Sequence, residues 1–256
     1  MKAMILAGGF GTRLAEETDV RPKPMVEVGG RPIMWHIMRH YSLHGINEFV
    51  VCLGYKAEYI KKFFLDYSAS LSDFTINLAT HDVEVHSRQV ENWKITLVDT
   101  GKDTLTGGRI KRAIRHVTPE EPFCLTYGDG LSNIDIGSSI AFHKAHGKLA
   151  TVTAVTPPGR FGVLDIDAEN RVTGFREKIA SDQYRVNGGF FVLSPKVTDY
   201  IEGDTSIWEQ EPMRRLAADG QLQAWDHTGF WQPMDTLRDK LYLEGLWNSG
   251  NPPWRL

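Results

Sequence analysis

Short apolar runs alternate along this chain with stretches whose apolar residues recur at helical spacing. Residues 3–7 form an apolar run stopped by Gly8-Gly9, as a buried parallel strand does where it ends in a loop. After Pro32, Ile33, Ile37 and Tyr41 recur with Met34 and Met38 beside them, and Gly45 supplies a stop, which predicts a helix. Residues 48–53 read as the next strand, and Ile60, Phe63, Phe64 and Tyr67 mark the next helix. Further on, residues 94–98 read as a strand, 108–117 as a helix, and 123–127 as a strand ending at Gly128-Asp129-Gly130. Such alternation implies right-handed crossovers and a mostly parallel sheet, so the expected class is α/β. From Ala150 the pattern turns β-rich over residues 151–156, 162–166, 171–176 and 189–193, and helices near 207–218 and 236–247 follow. With no repeat and no low-complexity linker, residues 1–256 read as a single domain. Its β-rich part would face the first half.

Composition narrows the function classes. At 256 residues, 41% hydrophobic and 24% charged, the chain is an ordinary globular one, and disorder, collagen and coiled coil fit poorly. A formal charge of -3 argues against general nucleic-acid binding, so the positive partners of any phosphate ligand must be concentrated locally. Cys52 and Cys124 lie in apolar, strand-like runs and read as reduced core residues. No apolar run approaches a membrane span, and the opening MKAMILAGG is too short for a secretory segment. No membrane partner is expected, and the expected compartment is the cytoplasm.

The feature richest in chemistry is Leu6-Ala7-Gly8-Gly9-Phe10-Gly11-Thr12-Arg13-Leu14, followed by Arg21-Pro22-Lys23-Pro24. Glycines after a first strand let the backbone approach a ligand closely, and successive inward N–H groups make an anion-binding concavity. Arg13 adds a forked donor and Lys23 a compact charge. A dinucleotide fingerprint does not fit, because Leu14 stands where the helix-packing glycine is needed. A P-loop does not fit either, since no Gly-Lys-Ser/Thr closes the run. A glycine turn with solvent-facing charges remains an alternative.

Asp129 emerges between glycines after an apolar strand, at the strand end where open α/β sheets bind ligands. Asp235 lies between Trp231 and the last helix. Two carboxylates suit Mg²⁺, which otherwise prefers phosphates and water. Gly-Asp-Gly is also a plain turn, and Asp-Thr before a helix an ordinary cap. His36, His40 and His44 form an i, i+4, i+8 row, but Ile37 occupies the glutamate place of a zinc motif, so a solvated helix face is expected. Lys111, Arg112 and Arg115 would either extend a phosphate field or form another solvated face. The tryptophans read as core or interface anchors, with Trp231 a candidate wall of a sugar site.

Taken together, L-A-G-G-F-G-T-R-L with R-P-K-P-M-V-E-V-G-G-R-P-I resembles the sugar nucleotidyltransferases. The order is kept by Thr106–Arg112, Tyr127-Gly128-Asp129-Gly130, Phe175-Arg176-Glu177-Lys178, Asn187-Gly188-Gly189-Phe190-Phe191 and Gly229–Thr236, so the likeness runs nearly end to end. It implies a Rossmann-like nucleotidyltransferase fold, with a mostly parallel central sheet flanked by helices and a smaller β-rich sugar-binding subregion. Residues 1–135 would be the nucleotide-binding half and 136–256 the sugar-phosphate-binding half. Within the family the likeness is to the branch that joins CTP and glucose 1-phosphate into CDP-glucose and pyrophosphate with Mg²⁺.

The resemblance also implies roles. Leu6, Ala7, Gly8, Gly9, Phe10, Gly11, Thr12 and Arg13 would wrap the nucleotide with Gly128, and Arg13 and Lys23 would meet its phosphates. Thr104 and Arg109 would read base and ribose, with Arg109 on cytosine. Asp129 and Asp235 would hold Mg²⁺, and Lys178 the sugar phosphate. Glu177, Asn187 and Gly188 would line the hexose pocket, and the family suggests a homo-oligomer. Two departures fall in the sugar half: Ile179 replaces the usual proline, and Arg185-Val186 an aromatic. UTP or dTTP in place of CTP, and a silent nucleotide-sugar-binding subunit, stay open as alternatives.

Overall fold

A computed structural model of the chain describes residues 1–87, 90–157, 163–168, 170–176 and 184–254; for residues 13, 15, 16, 163–166, 175 and 176 it describes the backbone alone. The opening strand β1 (Ala3–Leu6) is paired on both edges and buried on both faces. Alternate side chains enter two separate cores: Ala3 and Ile5 one, Met4 and Leu6 the other. That is why the run is continuously apolar, since a central parallel strand has no face left for water.

Six more strands complete the sheet: β2 (Glu48–Leu53), β3 (Lys94–Asp99), β4 (Phe123–Tyr127), β5 (Ala150–Val155), β6 (Val186–Leu193) and β7 (Leu222–His227). Their order is β3-β2-β1-β4-β6-β5-β7. All run parallel except β6, which is antiparallel to both β4 and β5. The chain steps outward from β1 to β3, then crosses back to place β4 on the other side of β1. Between β1 and β4 successive connections leave in opposite directions, and the strand ends there open the crevice where such sheets bind ligands.

The principal helices are α1 (Ile33–Leu43), α2 (Ala57–Ser70), α3 (Thr106–Ala113), α4 (Ile136–His146), α5 (Glu211–Ala218) and α6 (Leu237–Asn248). One core takes Ile33, Met34, Ile37, Met38 and Tyr41 from α1, Ile60 from α2 and Leu243 from α6. The other takes Ile110 and Ala113 from α3 and Leu216 from α5, together with Trp208. Three strands of the β-rich half continue the common sheet, while Val163–Ile166 and Val172–Arg176 form a separate two-stranded piece. No described helix is long and apolar enough to cross a membrane.

The periodicity reading misses some elements. Helix α4 carries two serines and its apolar residues make no stripe; it is set instead by its Asp135 cap, which accepts from Ser138 N at 2.8 Å, and by Gly147 at φ 64°. Strand β7 and the ribbon Phe74–Ile76/Val83–Val85 are also absent from that reading. Both cysteines are buried and unpaired, and burial pushes each thiol up to about 12.

The histidine row departs most from expectation. His36 and His40 are each only 3% exposed, so this face is not solvated. His36 Nε2 lies 2.8 Å from the Val28 carbonyl, and His40 Nε2 lies 2.9 Å from that of Ile134. Both rings therefore serve as neutral donors that satisfy loop carbonyls. Burial, with the neighbouring His44 charge, lowers His40 to about 4, and burial lowers His36 to about 4 as well.

An unfolded histidine titrates near 6.5, so between there and about 4 the unfolded chain binds more protons and stability falls as pH falls. His40 alone would contribute a loss of about 2 kcal/mol by pH 5. His40→Gln retains a donor and cannot titrate, so urea melts of that variant between pH 7 and 4.5 should show a shallower loss than wild type. Equal slopes would show that His40 does not titrate on unfolding.

Candidate active site

The glycine loop begins where β1 ends. Its first carbonyl, of Gly8, accepts from Tyr55 N at 3.1 Å and from Arg109 Nη2 at 3.0 Å. A Cβ on Gly8 would stand 2.2 Å from Arg109 Nη1, so glycine is required there by the protein itself. Gly11 takes φ +67°, the left-handed region open to glycine. Gly9 differs: a Cβ would meet no protein atom within 4 Å. Its missing side chain is space belonging to the crevice.

That crevice is a cleft of about 590 Å³, within the usual range for small-molecule sites. Leu6, Ala7, Gly8, Gly9, Phe10, Gly11 and Thr12 line it, as do Lys23, Thr104, Arg109, Gly128, Asp129, Trp231 and Asp235. A smaller cavity of about 50 Å³ adjoins it, sharing Tyr127, Asp129, Trp231 and Pro233 and adding Asn187 and Gly188. Trp231 Nε1 donates to the Gly188 carbonyl at 2.7 Å. The structure thus brings the described residues expected at nucleotide and metal to the larger cleft, and Asn187 and Gly188 to the smaller cavity beside it. Glu177 and Lys178 lie outside the described residues, as does the side chain of Arg13.

At the cleft's centre Lys23 is buried between two carboxylates. Its Nζ lies 2.5 Å from Asp129 Oδ2 and 2.7 Å from Asp235 Oδ1. Burial works against the ammonium, yet the charge of Asp129, with Asp235 behind it, outweighs burial and raises the pKa of Lys23. The two aspartates are neighbours because a short ribbon joins their segments: Gly130 pairs with Pro233, Leu131 with Gln232 and Ser132 with Trp231. Met234 N also donates to the Asp129 carbonyl at 2.8 Å. Asp235 is not the cap of α6. Thr236 and Asp239 form a reciprocal capping box, which leaves the Asp235 carboxylate to face the cleft.

Two carboxylates and one ammonium carry a net charge of -1 at this point. Among the described residues no group of three His, Cys, Asp or Glu could hold a metal. A cation here would take Asp129 and Asp235 plus oxygens from a ligand, which suits a hard divalent ion such as Mg²⁺ and not a protein-caged one.

Arg109 lines the cleft and is at the same time held by the protein. It is 4% exposed, and its terminal nitrogens are committed to protein acceptors. Nη1 donates to the Leu53 carbonyl, Thr100 Oγ1 and the Gly101 carbonyl at 2.8–2.9 Å; Nη2 donates to Gly8 and Lys102 carbonyls at 3.0 and 3.1 Å. In this conformation the guanidinium braces the glycine loop and offers its fork to no base. Lys111 donates to the Ile201 and Glu202 carbonyls, and Arg112 pairs with Asp204, so neither extends a phosphate field.

One cleft residue and its partner behind the wall escape sequence reasoning. Tyr127 ends β4 and walls both openings, but an aromatic at a strand end carries no local mark of function. Glu209, from a loop, accepts from Thr106 Oγ1 at 2.7 Å and from the Tyr127 hydroxyl. Nothing in Trp208-Glu209-Gln210 announces that position.

Comparison with known proteins agrees with this geometry. The model of the nucleotidyl transferase family matches residues 2–232. The glucose-1-phosphate cytidylyltransferase of Salmonella typhi is 58% identical over 255 residues, covering 100% of this chain and 99% of that protein. Among solved structures, HddC from Yersinia pseudotuberculosis superposes with a TM-score of 0.69 at 24% identity, over 96% of this chain and 99% of that one. UDP-glucose pyrophosphorylase complexed with UDP-glucose gives 0.68 at 14% identity, over 98% and 99%. At those identities the structural likeness speaks for the fold alone, but the family match spans most of the sequence. The chain belongs to the nucleotidyl transferase family.

Proposed function

We propose that the protein transfers a cytidylyl group from CTP to glucose 1-phosphate, releasing CDP-glucose and pyrophosphate. The observation that carries this reading is the Lys23–Asp129–Asp235 cluster at the mouth of a glycine loop, in a chain 58% identical throughout to a glucose-1-phosphate cytidylyltransferase. An oxygen of the sugar phosphate attacks the α-phosphorus in line. A new P–O bond forms, the bond to the bridging oxygen breaks, and pyrophosphate departs with its electron pair.

The chain's own work is placement and charge. The backbone of residues 8–12 approaches the phosphates where Gly9 leaves room, and the Lys23 ammonium meets negative charge as it builds on the leaving group. Asp129 and Asp235 would hold a divalent cation, Mg²⁺ in this reading, which supplies further charge neutralisation on the phosphates. Arg13 joins Lys23 at the phosphates and Lys178 orients the attacking group by family likeness. Asn187 and Gly188, with Trp231 beside them, form the hexose side, which Glu177 joins by family likeness. A cytoplasmic setting belongs to the same reading. A homo-oligomer belongs to the same reading: Phe74, Ile76, Val83 and Val85 lie on one face of the ribbon and are all exposed, an apolar patch of the kind that subunit contacts cover.

Base choice is the direct test. With glucose 1-phosphate and Mg²⁺, pyrophosphate release should be at least about tenfold faster in kcat/KM with CTP than with UTP or dTTP, since base selection rests on hydrogen bonds that a wrong base leaves unmade. Equal or faster turnover with UTP would reject the cytidylyl assignment.

Lys23→Met keeps the stem and removes the charge, and should cost about 10²–10³-fold in kcat. Asp129→Asn should remove the response of turnover to added Mg²⁺. Circular dichroism should show both variants folded. A loss under about tenfold in kcat for Lys23→Met would take Lys23 out of the mechanism.

The glycines should separate in a way only a ligand-facing loop would show. Gly8→Ala collides with the Arg109 guanidinium and should lower the melting temperature by several degrees, from a cost of about 1–3 kcal/mol. Gly9→Ala should leave melting unchanged and raise the KM for CTP. If Gly9→Ala alters neither quantity, the loop does not enclose the nucleotide.

A further inference from the structure

The loop of residues 203–209 crosses the start of α3. Leu105 N donates to the Asp204 carbonyl at 2.8 Å and Gly107 N to that of Ser206 at 2.9 Å, so the loop satisfies N–H groups that a helix start leaves open. Glu209, at the end of this loop, reaches further. One carboxylate oxygen accepts from Thr106 Oγ1 at 2.7 Å and the other from the Tyr127 hydroxyl. The Thr106 oxygen accepts in turn from Trp208 N at 2.9 Å. The Tyr127 oxygen takes a donor from Asn187 Nδ2 at 3.3 Å.

These partners belong to different walls. Thr106 and Tyr127 line the nucleotide cleft, whereas Tyr127 and Asn187 line the smaller cavity on the hexose side. Glu209 stands behind both openings. A phenol has a single proton, and here it is committed to Glu209, so the Tyr127 oxygen has only acceptor capacity left on its open side.

We propose that Glu209 is a positioning residue that locks the Tyr127 hydroxyl as a hydrogen-bond acceptor facing the hexose cavity, and ties that cavity to the nucleotide wall through Thr106. The ligand feature received is a hydroxyl donor of the sugar phosphate. The assignment rests on the cavity of Asn187 and Gly188 being the hexose side, as proposed above.

The test is steady-state kinetics on wild type, Tyr127→Phe, Glu209→Gln and the double variant, with CTP and glucose 1-phosphate varied separately and folding checked by circular dichroism. Each single variant should raise the KM for the sugar phosphate about tenfold. Tyr127→Phe should leave the KM for CTP within about twofold. The double variant should match Tyr127→Phe on the sugar KM, because the carboxylate acts there only through the phenol. An unchanged sugar KM in Tyr127→Phe or in Glu209→Gln, or effects that multiply to about a hundredfold in the double variant, would overturn the proposal; should Glu209→Gln fail to fold, Glu209→Asp takes its place in the same comparison. If wild type prefers another sugar phosphate, the reading of the substrate fails, while the same four proteins assayed on that substrate still decide the role of Glu209.

Discussion

One ammonium group fixes the relation between three distant stretches of this chain. Lys23 meets Asp129 and Asp235 across 106 and 212 residues of sequence, and the ammonium is what lets the two carboxylates approach one another. Two carboxylates this close repel unless a cation lies between them. A buried lysine without partners would have its ammonium disfavoured by burial. The sheet makes the meeting possible, since β1 and β4 are adjacent at the point where the connections reverse, and the Gly130–Ser132/Trp231–Pro233 ribbon carries the third member back from near the end of the chain. The geometry of the site and its charge balance are therefore a single constraint.

Arg109 shows the same economy at the neighbouring wall. Burying a guanidinium is costly unless its donors are filled, and here the acceptors are carbonyls at the ends of the glycine loop, of β2 and of the segment after β3. Burial lowers its pKa, but from a starting value so high that the group stays charged. A permanent charge shared among these carbonyls ties the start of the glycine loop at Gly8 to α3 and to the ends of β2 and β3. A ligand entering the cleft then meets a preformed surface, which reduces the ordering cost of binding.

What the sequence discloses follows from how local each signal is. Strands β2 and β4 are found to the residue, because a fully buried strand is a continuous apolar run bounded by glycine or polar residues. The glycine loop and both aspartates are legible because glycines after a first strand, and acids at the end of an apolar run or before a helix, stand out as residue types. Helix α4 is not legible, since its stability comes from a cap and from packing and leaves no apolar stripe. The histidine row misleads for a related reason: a polar residue on a helix reads as solvent-facing until the loop carbonyls that it satisfies, at Val28 and Ile134, are folded over it. Arg109 and Glu209 have partners 7 to 103 residues away, so only the fold tells a brace from a ligand contact.

The overall charge of -3 sits oddly with an anionic substrate pair until the local balance is considered. Around Lys23 the side chains sum to -1, so a bare triphosphate arriving there would meet a carboxylate for every oxygen that finds the ammonium. A divalent cation reverses the sign of the cluster to +1, and a triphosphate that already carries its cation arrives with less charge of its own. On the proposed reading, metal and nucleotide thus favour each other's binding through the two aspartates, and each is expected to bind weakly alone. That coupling needs no moving part. It follows from placing two acids and one base where the first strand ends.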